Sequence, residues 1–433
     1  MYDLKLAIFG TLLLALAVFN RSVGRRWTYP PAVFSLFWSA VLFGLCIAGD
    51  FFYPIALVTM LVFLLGAVCF SAAGLVTLGC MQVLQSPRAP TRTAESAAIG
   101  RLLDWAIVLL ILGLPLFYRR LTDLASAAGI SDFWVALRTQ IAYGSDQVAD
   151  VTLGGFARII AVATFLCFIA TAELDETFAS KRRAAILISL TVGMHTLTMA
   201  RLGAYITIFG CAGIFLVKSQ RIPVRALIVT GISLISVFAL PAILLGKGGS
   251  TEAGLGENAS GVMQSVEQYS LGGSVAFDEA IAGGWRRPLE IPDMIRIPAR
   301  SLGLVPQPIA RERFEPFVFT PSPTNVYTIY YQYFTGYGFA GVVFGMLLIG
   351  AACTLVYAAA IHGSRPSLAL LGLIFGNLLV SNAGDGFIAG LSYNVQAVAV
   401  IVILYRMAGV LGSWSARPQT VAFDSTDGVP CVE

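Results

Sequence analysis

Charge is what this chain has least of. Asp, Glu, Lys and Arg make up 12% of its 433 residues against 57% hydrophobic residues, and the mean hydropathy is +0.80. Such a chain cannot keep its apolar surface inside a water-soluble core of this size, so lipid must cover much of it. Basic runs are missing too. Lys and Arg are scattered over short loops and the formal net charge is only +4, which argues against nucleic acid as a partner. The seven cysteines (Cys46, Cys69, Cys80, Cys167, Cys211, Cys353 and Cys431) avoid the longest hydrophilic segment, so neither a disulfide framework nor a Cys/His metal cage is suggested. No internal repeat is visible, which counts against a secondary transporter built from repeated halves. No hydrophilic stretch exceeds about 80 residues, so the chain reads as one integral membrane domain, 1–433.

What is present is a series of about eleven apolar stretches, expected to be transmembrane helices. They lie near Leu4–Phe19, Ala32–Ala48, Phe52–Val76, Leu102–Phe117, Phe156–Ala172, Ala184–Met199, Leu202–Val217, Ala226–Leu245, Phe339–Ala360, Ser367–Ser381 and Ile388–Tyr405. The first carries Arg21, Arg25 and Arg26 after it, the reverse of a cleavable signal, and is expected to be a retained span with its N-terminus outside. Alternate loops hold Arg88, Arg92 and Arg101; Lys181, Arg182 and Arg183; Lys218, Arg221 and Arg225; and Arg365, which predicts that side to be cytoplasmic. The tail, 406–433, falls on the same side. A first loop, 118–155, and a large loop, 246–324, are then expected outside, which in a bacterial inner membrane means the periplasm.

Charge within the spans is sparse and therefore informative. Arg158 and Arg201 both fall near outer ends, where an Arg is costly unless it is paired or snorkels to headgroup phosphates. His195 lies about 9 Å further along the preceding helix, at the ordinary helical rise, and is either a packing hydrogen-bonder or a base. In the large loop acids dominate from Lys247 to Trp285 and arginines from Arg286 to Arg313. That segregation suits a site that holds an anion and abstracts a proton; a mixed solvated surface is the alternative. Gly248–Gly261 reads as a mobile lid or a passive tether. The prolines from Pro288 to Pro308, with apolar residues among the arginines, suggest an irregular stretch along the membrane surface. Tyr327, Tyr330, Tyr331 and Phe334 have the spacing of one helix face, fit for an interfacial aromatic belt or for stacking on sugars.

Three segments resemble a known family. Pro323–Gly350 resembles the Asn-x-Tyr-Thr segment followed by Gly-x-x-Gly that opens a late span in the O-antigen and oligosaccharide repeat-unit polymerases, the Wzy type. Tyr269–Ile281 is similar to the short segment before it in the large outer loop, and Met199–Val217 resembles the Arg-containing turn and span in the middle of those chains. The likeness covers about Met194–Ile361 and is little more than hydropathy elsewhere.

The resemblance implies an all-α polytopic glycosyltransferase, similar to the lipid-dependent GT-C-like enzymes. It would move a growing glycan from undecaprenyl diphosphate onto a lipid-linked oligosaccharide repeat at the periplasmic face, with no nucleotide sugar, no cofactor and no required metal. Donor and acceptor lipids, the bilayer and a chain-length regulator are the implied partners. On this reading Arg158, Arg201, Arg300 and Arg311 hold the diphosphate, Glu315 or Asp278 is the base with His195 as runner-up, and Tyr269, Asn325, Tyr327 and Tyr331 orient sugars. A surface-glycan ligase has similar topology and the same donor, and a lipid-linked oligosaccharide flippase is the rival from another class.

Overall fold

The computed structural model of the chain describes residues 2–84, 93–143, 153, 155–198, 201–219, 228, 230–237, 255–286 and 316–415. In these residues the helices are α1 (Tyr2–Gly24), α2 (Pro30–Ala48), α3 (Leu57–Leu84), α4 (Thr93–Ala127), α5 (Phe133–Tyr143), α6 (Gly155–Ala172), α7 (Phe178–Leu197) and α8 (Arg201–Ser219). They continue as α9 (Leu255–Ala282), α10 (Tyr330–Ile361), α11 (Arg365–Leu379) and α12 (Leu391–Ser415). A small hairpin pairs β1 (Val318–Phe319) with β2 (Pro323–Thr324) in antiparallel register. Eight helices (α1, α2, α3, α4, α6, α8, α10 and α12) are long and apolar enough to cross a membrane. The protein is thus a multi-pass all-α membrane protein.

The sequence states why these segments are helical and where they begin. In lipid a backbone must satisfy itself, and a helix does so within one segment. Pro30 and Pro31 occupy the first turn of α2, where a missing N–H costs nothing. Thr177 accepts from the Ser180 amide at the start of α7, and Ser364 accepts from the Ser367 amide at the start of α11.

Small residues then bring the helices close. A Cβ at Gly210 of α8 would collide with the Gly372 carbonyl of α11, and one at Gly376 would lie 2.7 Å from the Ile206 carbonyl. Such backbone approach is the usual basis of helix association in membranes. The pairs 210 with 372 and 206 with 376 define an antiparallel register that brings Arg201 level with Ser381.

Side-chain contacts sort the connections between two ends. At one, Arg365 at the start of α11 reaches Glu173 after α6 and Glu95 at the start of α4, and Tyr405 of α12 donates to Glu173. At the other, Asp278 of α9 meets Ala56 ahead of α3, and Asn382 after α11 meets Ser274 of α9. The assignment of these ends to compartments rests on the basic residues alone.

Several expectations are corrected. The large loop is not merely a hydrophilic excursion: α9 fills much of it, and Gly272–Asp278 is buried against α2, α3 and α10. The glycine-rich 248–261 is helical from Leu255 onward. Residues 248–254 and the arginine- and proline-rich 287–315 lie outside the described residues. Helix α4 runs to Ala127, into the stretch 118–155 expected to be the first outer loop, which also contains α5, and α12 runs to Ser415, into the expected tail. Of the remaining expected spans, α7 is helical but carries Lys181, Arg182 and Arg183 near its start, and 226–245 is described only at 228 and 230–237.

The last case is α11. It has 15 residues, about 22 Å at the helical rise, against a hydrocarbon thickness of about 30 Å. Leu371–Leu378 is buried, so α11 stands inside the bundle, and the irregular connection 380–390 begins level with the start of α8.

Candidate functional site

Arg201 opens α8 at the end of the bundle where α9 is wedged, and it is 5% exposed. Its Cζ lies 5.0 Å from the centroid of the Tyr269 ring on α9. A cation over a desolvated aromatic face gains about 2 kcal/mol. Arg138 of α5 is near enough to repel Arg201 electrostatically, and Tyr205 flanks Arg201 one turn along α8. The segment between α4 and α6 therefore brings a second guanidinium to this region. Its helix is fixed at its start by Asp132, whose Oδ1 accepts from the Trp134 and Val135 amides at 2.9 Å each.

Tyr269 is held over Arg201 by the polar connection after α11. Ser274 Oγ donates to Asn382 Oδ1 at 2.6 Å, and Asn382 Nδ2 donates to the Ser270 carbonyl at 2.6 Å. A Cβ at Gly273 would collide with the Asn382 carbonyl, so only glycine allows this approach. The Ile329 amide donates to the Ser381 carbonyl at 2.7 Å, which brings the 325–329 segment to the same point. Gln268 Nε2 donates to Thr320 Oγ1 at 2.5 Å and ties α9 to the hairpin.

A break in α10 completes the arrangement. Gly338 has φ 61° and ψ −148°, so Tyr330–Tyr337 forms a separate arm ahead of the long span. Gly341 packs against the Tyr333 carbonyl, where a Cβ would collide. The Gly-x-x-Gly spacing is thus the spacing of a kink and of the close contact beyond it.

The structure divides the sequence-predicted residues into groups. Arg201 and Tyr269 come together, and half-buried Asn325 lies on the segment that reaches Ser381. Arg158 is exposed on α6. Glu315, Arg300 and Arg311 lie outside the described residues.

Asp278 serves helix α3: its Oδ1 accepts from the Ala56 amide at 2.8 Å and from Thr59 Oγ1. A carboxylate there complements the positive end of α3. His195 is buried, with Nε2 3.1 Å from Thr164 Oγ1 and its ring against Gly203. That is the packing role, one of the two readings the sequence allowed.

The tyrosine row is not a platform open to sugars. Tyr327 and Tyr331 stack on each other with centroids 4.2 Å apart and are 4% and 2% exposed, and Tyr327 Oη donates to the Pro316 carbonyl at 2.6 Å. Tyr330 fits among Trp38, Phe63 and Phe277. Tyr327 precedes the helix that begins at Tyr330, so the four do not form one helix face, and Phe277 of α9 packs on Tyr330 and Phe334.

Arg138, Asn382, Asp385 and Tyr333 were not selected from the sequence. One signal was there: Ser381–Gly386 places Asn382 and Asp385 between two apolar stretches, and such polar residues at membrane depth mark function by default. No protein-family model matches the chain, and no curated protein matches it.

Proposed function

We propose that the protein is a membrane glycosyltransferase that elongates a lipid-linked glycan, with the diphosphate of the polyprenyl donor at Arg201. One observation carries this reading. Three segments distant in sequence, 199–217, 269–281 and 323–350, each resemble the repeat-unit polymerases, and they converge through the Arg201–Tyr269 contact and the Ser381–Asn382 connection. Resemblance and geometry, two independent properties of the chain, fall on the same residues.

In the reaction the acceptor hydroxyl oxygen bonds to the anomeric carbon of the donor sugar, and the bond from that carbon to the diphosphate oxygen breaks. The leaving diphosphate takes the electron pair, and Arg201, with Arg300 and Arg311, offsets its charge. The hydroxyl proton passes to a base. Asp278 is committed to the start of α3 and His195 is buried against Gly203. Glu315 is therefore our assignment; it directly precedes Pro316, whose carbonyl is fixed by Tyr327. Tyr269 and Asn325 orient sugars; Tyr327 and Tyr331 shape the wall behind them. The surrounding spans supply the groove for the polyprenyl tail, and the Arg201 end faces the periplasm.

A mass spectrum of lipid-linked intermediates from a strain lacking this chain tests the proposal. Accumulation of single repeats is expected. A ligase would instead leave long polymer on the carrier, and a flippase would leave single repeats on the cytoplasmic leaflet.

A further inference from the structure

Asp385 lies in the connection between α11 and α12, and its contacts are unusually complete. Oδ2 accepts from Tyr333 Oη at 2.6 Å and from the Ala389 amide at 3.1 Å. Oδ1 accepts from the Phe387 and Ile388 amides at 2.8 and 3.2 Å. The four donors match the four lone-pair directions of a carboxylate, so this group is placed to hold structure and not to take a proton. The adjacent Gly386 carbonyl is gripped by Asn377 Nδ2 at 3.0 Å and Asn394 Nδ2 at 2.8 Å.

What this carboxylate holds is the site. Tyr333 belongs to the arm Tyr330–Tyr337, and the break at Gly338 frees that arm from the direction of the span. The Tyr333–Asp385 bond is its polar tie to the connection. Toward the chain start, Asn382 grips Ser270 and Ser274, on either side of the close contact at Gly273, and Tyr269 follows directly.

We infer that Asp385 is a positioning residue: through Tyr333 it fixes the arm that follows the Asn325–Thr328 segment, and through the Ile329–Ser381 bond at the start of that arm it steadies the adjacent Asn382 and so the α9 turn that lays Tyr269 over Arg201. Its effect on turnover rests on the proposed glycan elongation, whereas the positioning itself does not.

The test uses the full chain in nanodiscs with 3-fluorotyrosine at position 269 alone. The 19F resonance reports the cation above that ring, and Arg201→Ala sets the value for its loss. Asp385→Asn and the milder Tyr333→Phe are expected to move the resonance toward that value. Elongation of purified lipid-linked repeats should fall about tenfold or more in kcat with KM for the donor changed less than about twofold, as misplaced groups do. A conservative Glu173→Gln change at the opposite end should leave the resonance in place. If both site variants fold and the resonance stays where it is in the wild type, the inference is overturned whatever the activity. A moved resonance in a protein whose wild type elongates nothing would uphold the positioning and refute the polymerase reading.

Discussion

Arg201, which is buried, and Arg365, which is half-buried, each open a helix at opposite ends of the bundle, and their surroundings differ. Arg365 is enclosed by internal acids. Its Nε donates to Glu173 Oε1 at 2.8 Å, Nη2 reaches Glu173 Oε2 and Ser96, and Glu95 lies 3.6 Å from Nη1. Tyr405 adds a bond from its hydroxyl to Glu173. The ends of α6 and α4 and the last part of α12 are thereby clamped to α11. Arg201 instead faces the Tyr269 ring with Arg138 nearby, while Asp278 and Asp385 at its end are engaged by amides and hydroxyls. The comparison separates a cation held by carboxylates from one set against an aromatic ring, at the end of the bundle where we propose the substrate diphosphate binds.

The two ends should therefore fail differently. The largest expected effect is structural: Glu173→Ala leaves half-buried Arg365 without its main partner, and should cost about 2–3 kcal/mol of stability in thermal unfolding in detergent. Adding Arg365→Leu should restore part of that loss. A stable Glu173→Ala protein would remove the clamp from the comparison.

Next comes Arg201→Ala, which should lower elongation about 100-fold or more and shorten surface polysaccharide on a gel, with thermal stability affected less than by Glu173→Ala. Full polymer length would erase the functional half of the contrast. Gly338→Ala forces a side chain into a left-handed backbone conformation at a cost of about 1–2 kcal/mol, and should slow elongation more than it lowers the melting temperature.

The smallest effect lies outside the spans at the Arg365 end. The Thr177 hydroxyl, and then the Thr177 amide, hold the exposed Asp175 carboxyl below its ordinary 3.8. A depressed folded value means that its stabilisation is present above the unfolded value and is lost as pH falls through the folded one. Solvent keeps this to a few tenths of a kcal/mol, so Asp175→Asn should remove only a shallow acid slope from the melting temperature below about pH 4.

Helices were legible wherever lipid imposes them, since a long uncharged run such as Leu57–Gly79 has no other way to satisfy its backbone. Arg201 was legible for the converse reason: an intramembrane charge must have a purpose. α9 was not, because its glycines resemble a linker until the helices they touch are known, and Gly273 has meaning only beside Asn382. The role of Asp278 was hidden because its partners, Ala56 and Thr59, stand more than half the chain away. Asn382 and Asp385 are visible in the sequence as polar residues between two apolar stretches, but their partners Ser270, Ser274 and Tyr333 are not. Periodicity grouped Tyr327 with Tyr330, Tyr331 and Phe334; it could not tell that Tyr327 stands before the helix or that Phe277 of α9 packs on Tyr330 and Phe334.

The most direct test is reconstitution of the purified chain in proteoliposomes with undecaprenyl-diphosphate-linked repeats as the added substrate. Elongated lipid-linked product, lost with Arg201→Ala and retained with Glu173→Gln, is the predicted result. Single repeats that cross the bilayer without being joined, or elongation that ignores Arg201, would contradict the account.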